Sequence, residues 1–219
     1  MTPQEAVLRV RSIYDENGVT SGFLDNTLDI YKYIDSAHSE IIQILILQLR
    51  ALRKAGVQGG ASKSLTPLIK LQSQNTTAAL AEYAKAADYL ETYNVEYSPD
   101  TAGIYYTCSY LDYSEVKQRQ KFTLLQGNTG PGAEATYYYL RETYIGVDPV
   151  PSASLTGGII HSYIYKPPEI TSSVTVFILG VETHEAIVKY AAAMAFIRDG
   201  EPVLAEGLLK QFYELASQL

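Results

Sequence analysis

The three histidines, His38, His161 and His184, are the first residues to test for acid–base or metal chemistry. None has a second histidine four residues on, and His184-Glu185 begins a His-Glu-x-x-His motif without completing it. His38 lies close to an apolar helical stripe, where a lone histidine reads as a satisfied core residue. His161 lies in a strand pattern and reads as a cross-strand neighbour. The single cysteine, Cys108, has no histidine near it in sequence, and no Gly-x-Ser-x-Gly elbow is present. One cysteine makes neither an intrachain disulfide nor a multi-cysteine zinc site. The glycine-rich stretch at 127–132, GNTGPG, lacks the Lys-Ser/Thr of a phosphate loop, and Pro131 removes an N–H that phosphate would need. Asp112, Glu115, Glu134, Glu142 and Asp148 could be imagined as an acid pair, but they read as solvated surface. The expectation is a protein with no catalytic residue, no metal site and no cofactor: not an enzyme.

Two features suit binding better than reaction. Lys117-Gln118-Arg119-Gln120-Lys121 puts three positive charges in five residues, enough to line a channel and touch phosphate. A solvated strand or loop explains the same run. The net charge of -7 argues against a protein whose main task is gripping nucleic acid. The second feature is tyrosine: 19 Tyr against 5 Phe and no Trp. Fourteen of the tyrosines lie between Tyr83 and Tyr165. Tyrosine joins a large apolar ring to a polar tip, which suits interfaces and half-buried strands. Its high β-propensity is the plainer account.

The elements that must position these residues come in a clear order. A length of 219 residues, 47% hydrophobic and 19% charged, implies one domain or a domain with a sizeable insertion. The longest apolar run, Ile41 to Leu47, is far short of the ~18 residues that suggest a membrane span. The opening residues lack a signal peptide's apolar stretch, so the chain reads as made without export. Thr2-Pro3-Gln4-Glu5 is a helix start with a capping box, and Asn17-Gly18 is its stop. A long helix follows from Leu24 to Ala55, with Leu24, Leu28, Tyr31, Ile34, Ile41, Leu45, Leu49 and Leu52 on one stripe. Gly59 to Ser62 is a flexible joint, and 64–74 is ambiguous around Pro67. The spacing of Leu80, Tyr83, Ala87 and Leu90 predicts a third helix over 76–94. Ile104, Tyr106, Cys108 and Tyr110 alternate as a strand, and Val116 to Gln126 reads as another. Three strands follow: Tyr137 to Leu140, Ile145 to Asp148, and a third ending at Tyr165-Lys166-Pro167-Pro168. Val174 to Leu179 is a further extended piece. Thr183 then caps a helix rich in alanine, Asp199-Gly200 breaks it, and Glu201-Pro202 starts a last helix striped with Leu204, Leu208, Phe212, Leu215 and Leu219. The fold class is α+β. A helical bundle body, made of the long helix and a C-terminal helical hairpin, carries an inserted tyrosine-rich antiparallel β domain. The expected divisions are 1–94 for the N-terminal helical part, 95–180 for the β domain and 181–219 for the hairpin.

The order of these parts resembles the head-to-tail adaptor, or connector, proteins of tailed bacteriophages. Three places carry the resemblance. The long helix shows Asp25, Leu28, Tyr31, Ile34, Ala37, Glu40 and Ile41. The strand pair Tyr137-Tyr138-Tyr139-Leu140 and Ile145-Gly146-Val147-Asp148 ends in Pro149-Val150-Pro151. The extended Tyr163-Ile164-Tyr165-Lys166-Pro167-Pro168 leads to a helix containing Ala186-Ile187-Val188-Lys189-Tyr190-Ala191-Ala192-Ala193. Adaptors of this kind run into strands soon after the long helix, whereas the residue pattern at 76–94 reads as helix.

The resemblance implies a structural virion protein, assembled in the host cytoplasm and residing at the head–tail junction. Its partners would be further copies in a cyclic ring (twelve by family resemblance), a portal protein above, a tail or nozzle protein below, and double-stranded DNA passing without sequence-specific contact. No membrane is involved. Under this reading Leu204, Leu208, Phe212, Leu215 and Leu219 dock on the portal. Tyr137, Tyr138, Tyr139, Tyr163 and Tyr165 form a ring or tail interface. Lys117, Arg119 and Lys121 line the DNA channel. The alternative is a β-layer that binds a carbohydrate or a receptor through exposed tyrosines.

Overall fold

The computed structural model describes residues 1–16, 27–55, 63–99, 103–126, 136–172 and 176–219. The chain mixes helices with two four-stranded sheets and is of the α+β class. It divides into two compact units. Met1–Arg50, Ala61–Leu68 and Pro167–Leu219 form the first, and Ala51–Gly60 with Ile69–Lys166 form the second.

The first unit is helical. α1, Pro3–Glu16, starts on a reciprocal capping box. The Thr2 N–H donates to Glu5 Oε2 at 2.8 Å and the Glu5 N–H to Thr2 Oγ1 at 3.2 Å. Its apolar face, Ala6, Val7, Val10 and Tyr14, is buried. α2, Thr27–Lys54, is about 42 Å long at 1.5 Å per residue. Tyr31, Ile34, Ile41, Leu45 and Leu49 of its expected stripe are buried, along with Ile30, Ala37, Ile42 and Ile46 between them. The C-terminal hairpin is α4, His184–Arg198, and α5, Pro202–Ala216. α4 buries Ala186, Ala191, Ala192, Ala193 and Ala195, small side chains that let α1 and α5 approach closely. Phe196 of α4 stacks on Tyr14 of α1 at 4.9 Å. The hairpin turns at Gly200, whose φ of +81° suits a residue without Cβ.

The second unit holds both sheets. β1, Ile69–Gln74, β3, Tyr89–Tyr97, β4, Tyr106–Thr107, and β8, Ile159–Tyr165, form one sheet in the order β1-β8-β3-β4. β2, Glu82–Ala84, β5, Ser109–Tyr110, β6, Tyr137–Leu140, and β7, Tyr144–Asp148, form the other in the order β2-β7-β6-β5. Tyr83, Val95, Tyr97, Cys108, Tyr138, Ile145, Val147 and Ile159 make one buried cluster that draws on both sheets. The bond between Asp148 and Pro149 is cis.

Several expectations need correction. The helix expected over 76–94 is strand and turn: a turn at 78–79 with Ala79 at φ +64°, then β2, then most of β3. The segment is tied across the unit by the Ala79 N–H to Pro151 O and by the Val147 N–H to Ala81 O, bonds that a helix would forgo. The strand expected at 116–126 lies inside α3, Tyr113–Gln126. Its start shows half of a capping box: the Asp112 N–H reaches Glu115 Oε2 at 3.3 Å, while the Glu115 N–H bonds the Asp112 backbone carbonyl at 2.9 Å. The single strand expected at 104–110 is two two-residue strands in different sheets, with Cys108 between them donating its N–H to Val95 O. The last three strands do not form one layer, because β8 sits at the centre of one sheet while β6 and β7 pair in the other. Nor is pairing wholly antiparallel: β5 and β6 run parallel. The ambiguous 64–74 resolves into a 3-10 turn, Lys63–Leu68, which takes up Pro67, followed by β1. Thr183 precedes α4, but its hydroxyl donates to Gly180 O instead of capping the helix. The calls at Leu24, Asn17-Gly18, Gly59 to Ser62 and the 127–132 loop lie outside the described residues, as does part of the 174–179 piece, of which Phe177 and Leu179 are buried without forming strand.

Candidate interaction surfaces

The last helix uses its stripe largely within its own unit. Phe212 is fully buried and meets the Tyr190 ring edge-on at 4.9 Å. Leu204, Leu208, Leu215 and Leu219 are half-buried. The exposed apolar residues of this helix are others: Val203 at 80% and Tyr213 at 52%. The hairpin is held to the remaining helices by ion pairs. Arg198 donates to Asp29 Oδ2 at 2.7 Å and to Tyr33 Oη at 3.4 Å, and the hydrogen bond holds the Asp29 carboxyl below its ordinary range. Arg9 pairs with Glu185 at 2.9 Å.

The tyrosines split into two sets. Tyr138, Tyr139 and Tyr163 are buried, and Tyr137 and Tyr165 are half-buried. Burial raises the Tyr138 and Tyr139 hydroxyls above their ordinary pKa. Tyr139 covers Gly146, its cross-strand partner, and its hydroxyl reaches Glu82 at 3.3 Å. Tyr163 donates to Asp88 Oδ1 at 2.8 Å, Lys70 meets Asp88 Oδ2 at 2.6 Å, and the same ammonium stands 4.0 Å from the Tyr165 ring centre. In the second unit the tyrosines that face solvent include Tyr105, Tyr106 and Tyr144, none of which was among the five singled out as an interface. Tyr106 lies on a strand two residues long with Tyr105 just before it, and Tyr144 is the first residue of β7.

The basic run lies on α3, where the rise per residue places its members along a helix and not across a strand. Lys117 is exposed, with its ammonium 4.9 Å from the Tyr113 ring centre. Arg119 is half-buried, 3.6 Å from Asp148 and 4.3 Å from the Tyr137 ring centre. Lys121 follows on the same helix, and its side chain lies outside the described residues.

A buried polar cluster joins the last turn of α2 to β3. Arg53 pairs with Glu91 at 2.9 Å and also donates to Thr92 O. Beside it the Thr92 hydroxyl meets His161 Nε2 at 3.1 Å. His161 is fully buried, and burial takes its pKa down to about 4, with Lys85 and Arg53 acting in the same direction. His38 is a core residue of the first unit, stacked 6.5 Å from Phe177 and also lowered to about 4 by burial. Phe177 meets His184 on a ring contact of 5.0 Å. His38 and His184 thus pack against one ring, Phe177, while His161 packs within the second unit. Cys108 is buried, which pushes its thiol up to about 12. Among the described residues no group of three or more His, Cys, Asp or Glu could hold a metal ion. Nor is any described helix long and apolar enough to cross a membrane.

Compared with families of known proteins, residues 1–219 match the family model for SU10 adaptor protein. No curated protein matches the chain.

Proposed function

The chain belongs to the SU10 adaptor protein family, a phage head-to-tail adaptor family, and from that premise we propose that its copies close a ring beneath the portal and carry the next tail component. The single observation behind this reading is a family match that spans residues 1–219, both compact units included. The first unit is the helical bundle body, and the second is the inserted tyrosine-rich β domain. The C-terminal hairpin docks on the portal. Phe212 holds α5 in place from inside, while Val203 and Tyr213 supply apolar surface for contact. The β domain faces its neighbours and the tail. Double-stranded DNA passes through the central opening, where a net charge of -7 lets phosphate slide without sticking. The protein acts by holding parts together and performs no chemistry.

The test is negative-stain microscopy of particles that carry a portal, with and without the purified chain. Added density below the portal, with a central hole, is the expected result. A chain that stays monomeric and leaves the portal bare overturns the proposal.

A further inference from the structure

One side of α2 stays open to solvent from Lys32 to Lys54, and its charge is of one sign. The chain carries a net charge of -7, yet among the described residues of α2 no exposed one is acidic. Lys32, Arg50 and Lys54 are all exposed, the Lys32 side chain at 77%. The acids of the helix, Asp29, Asp35 and Glu40, are half-buried. Two of them are tied to other elements of the helical unit. Asp29 accepts from Arg198 at 2.7 Å, and Asp35 Oδ1 accepts from the Ile170 N–H at 2.8 Å. Lys32 reaches Asp29 at 3.4 Å, a surface pair that leaves most of its ammonium in water. The exposed side of α3, by contrast, mixes Glu115 with Lys117.

The spacing of these cations says what they fit. Lys32 and Arg50 stand about five helical turns apart on one line, ~27 Å along the axis, and Lys54 follows at ~33 Å. Between the two ends Ser36, Ser39, Gln43 and Leu47 are exposed and uncharged. A strand of B-form DNA returns to the same side of the duplex every ~34 Å. A helix lying along a duplex therefore meets one strand at both of its ends, with the groove passing its middle. Lys and Arg supply the sequence-independent contacts to phosphate, and contacts this sparse guide the duplex without gripping it. The face suits a protein partner poorly. Interface cores are apolar and depleted of lysine, and this side of α2 offers Leu47 as its one large apolar residue.

We propose that α2 stands along the channel of the ring with this face toward the duplex, so that Lys32 at one end and Arg50 and Lys54 at the other touch the phosphates of passing DNA. The proposal rests on the ring reading above. Its test is a Gln43→Cys chain labelled with a diazirine-bearing maleimide, assembled on DNA-filled particles that carry a portal, and irradiated. Gln43 is exposed midway between Lys32 and Lys54, and Cys108 is buried away from the reagent. Label bonded covalently to DNA is expected. A Leu71→Cys chain, labelled at a 73% exposed site of the second unit, is the comparison and should react with protein alone. Added density below the portal with the Gln43 label on protein only overturns the α2 contact and leaves the ring reading standing. Equal DNA adducts from both labels also overturn it, since no face is then preferred. A parent chain that adds no density brings down the ring reading and this proposal together. Lys32→Gln with Lys54→Gln, placed in the Gln43→Cys chain, supplies a second check. It should keep both the added density and the thermal midpoint while losing most of the DNA adduct; an undiminished adduct counts against the phosphate contacts.

Discussion

At the scale of single residues, two sites carry measurable consequences. Tyr139 faces Gly146 across the β6–β7 ladder, and a Cβ added to that glycine would lie 2.0 Å from the ring's Cζ. The ring is buried and cannot swing into solvent. Gly146→Ala is therefore expected to cost about 1–3 kcal/mol through overpacking. Combined with Tyr139→Ala, which removes the ring, it should cost less than the sum of the two single changes. Urea unfolding of the four proteins closes that cycle; strict additivity would contradict the packing argument. The second site is the pair of buried histidines. The folded pKa of His38 and of His161 is about 4, against about 6.5 in an unfolded chain. A lowered histidine pKa means that the unfolded state takes up the proton first. The stability these rings confer is complete above pH 6.5, falls as pH drops toward 4, and then levels off. The scale is roughly 3 kcal/mol for each ring. His38→Leu should remove about half of the loss linked to these two rings between pH 7 and 4. An unchanged pH profile in that variant would refute the assignment.

At the scale of elements, the sequence was legible wherever one period ran unbroken. α1 and its capping box, the core of α2, the β6–β7 pair, β8 and the C-terminal hairpin all carry such signals. The rest was hidden for physical reasons. β3 pairs with β8 through two register shifts, at Tyr89/Glu91 and Thr92/Asn94, which break the alternation a strand should show. It also buries Glu91, a charge that pattern reading sends to the surface. Leu80, Tyr83, Ala87 and Leu90 then fit a helical period by coincidence. α3 shows the converse: of its side chains described, only Val116 is buried, so no stripe announced it, although Asp112 and Glu115 stood at capping-box spacing. Glu91 is buried because Arg53, at the end of α2, reaches it. Removing one partner leaves an uncompensated charge, so Glu91→Ala is expected to cost about 3–5 kcal/mol. Arg53→Met with Glu91→Leu should cost less than Glu91→Ala alone, because no buried charge is then left unpaired. Thermal unfolding of the two proteins decides the order, and a costlier double variant would contradict it.

At the scale of the whole molecule, the sequence shows which residues are apolar but not whether the chain's own core or its surface takes them. Tyrosine clusters and a leucine stripe mark apolar surface, and sequence period alone does not say whether the same chain covers it. Tyr138, Tyr139, Tyr163 and Phe212 are spent on the chain's own core. Packing leaves other apolar residues exposed, Val203 and Tyr213 on α5 among them. This separates folding from docking in the C-terminal hairpin. Phe212→Ala empties a site against Tyr190 and should cost about 3–5 kcal/mol of stability, with attachment lost only as far as the body unfolds. Val203→Asp removes exposed apolar surface and places charge where a partner would have to desolvate it, whereas the Tyr213 ring also packs on Phe212. The Val203 variant should stay within about 1 kcal/mol of the parent's stability, and yet fail to add density beneath the portal. Both readouts come from one preparation. A variant that melts like the parent and still attaches would remove α5 from the portal contact, and the docking surface would have to be sought on another element of the helical unit.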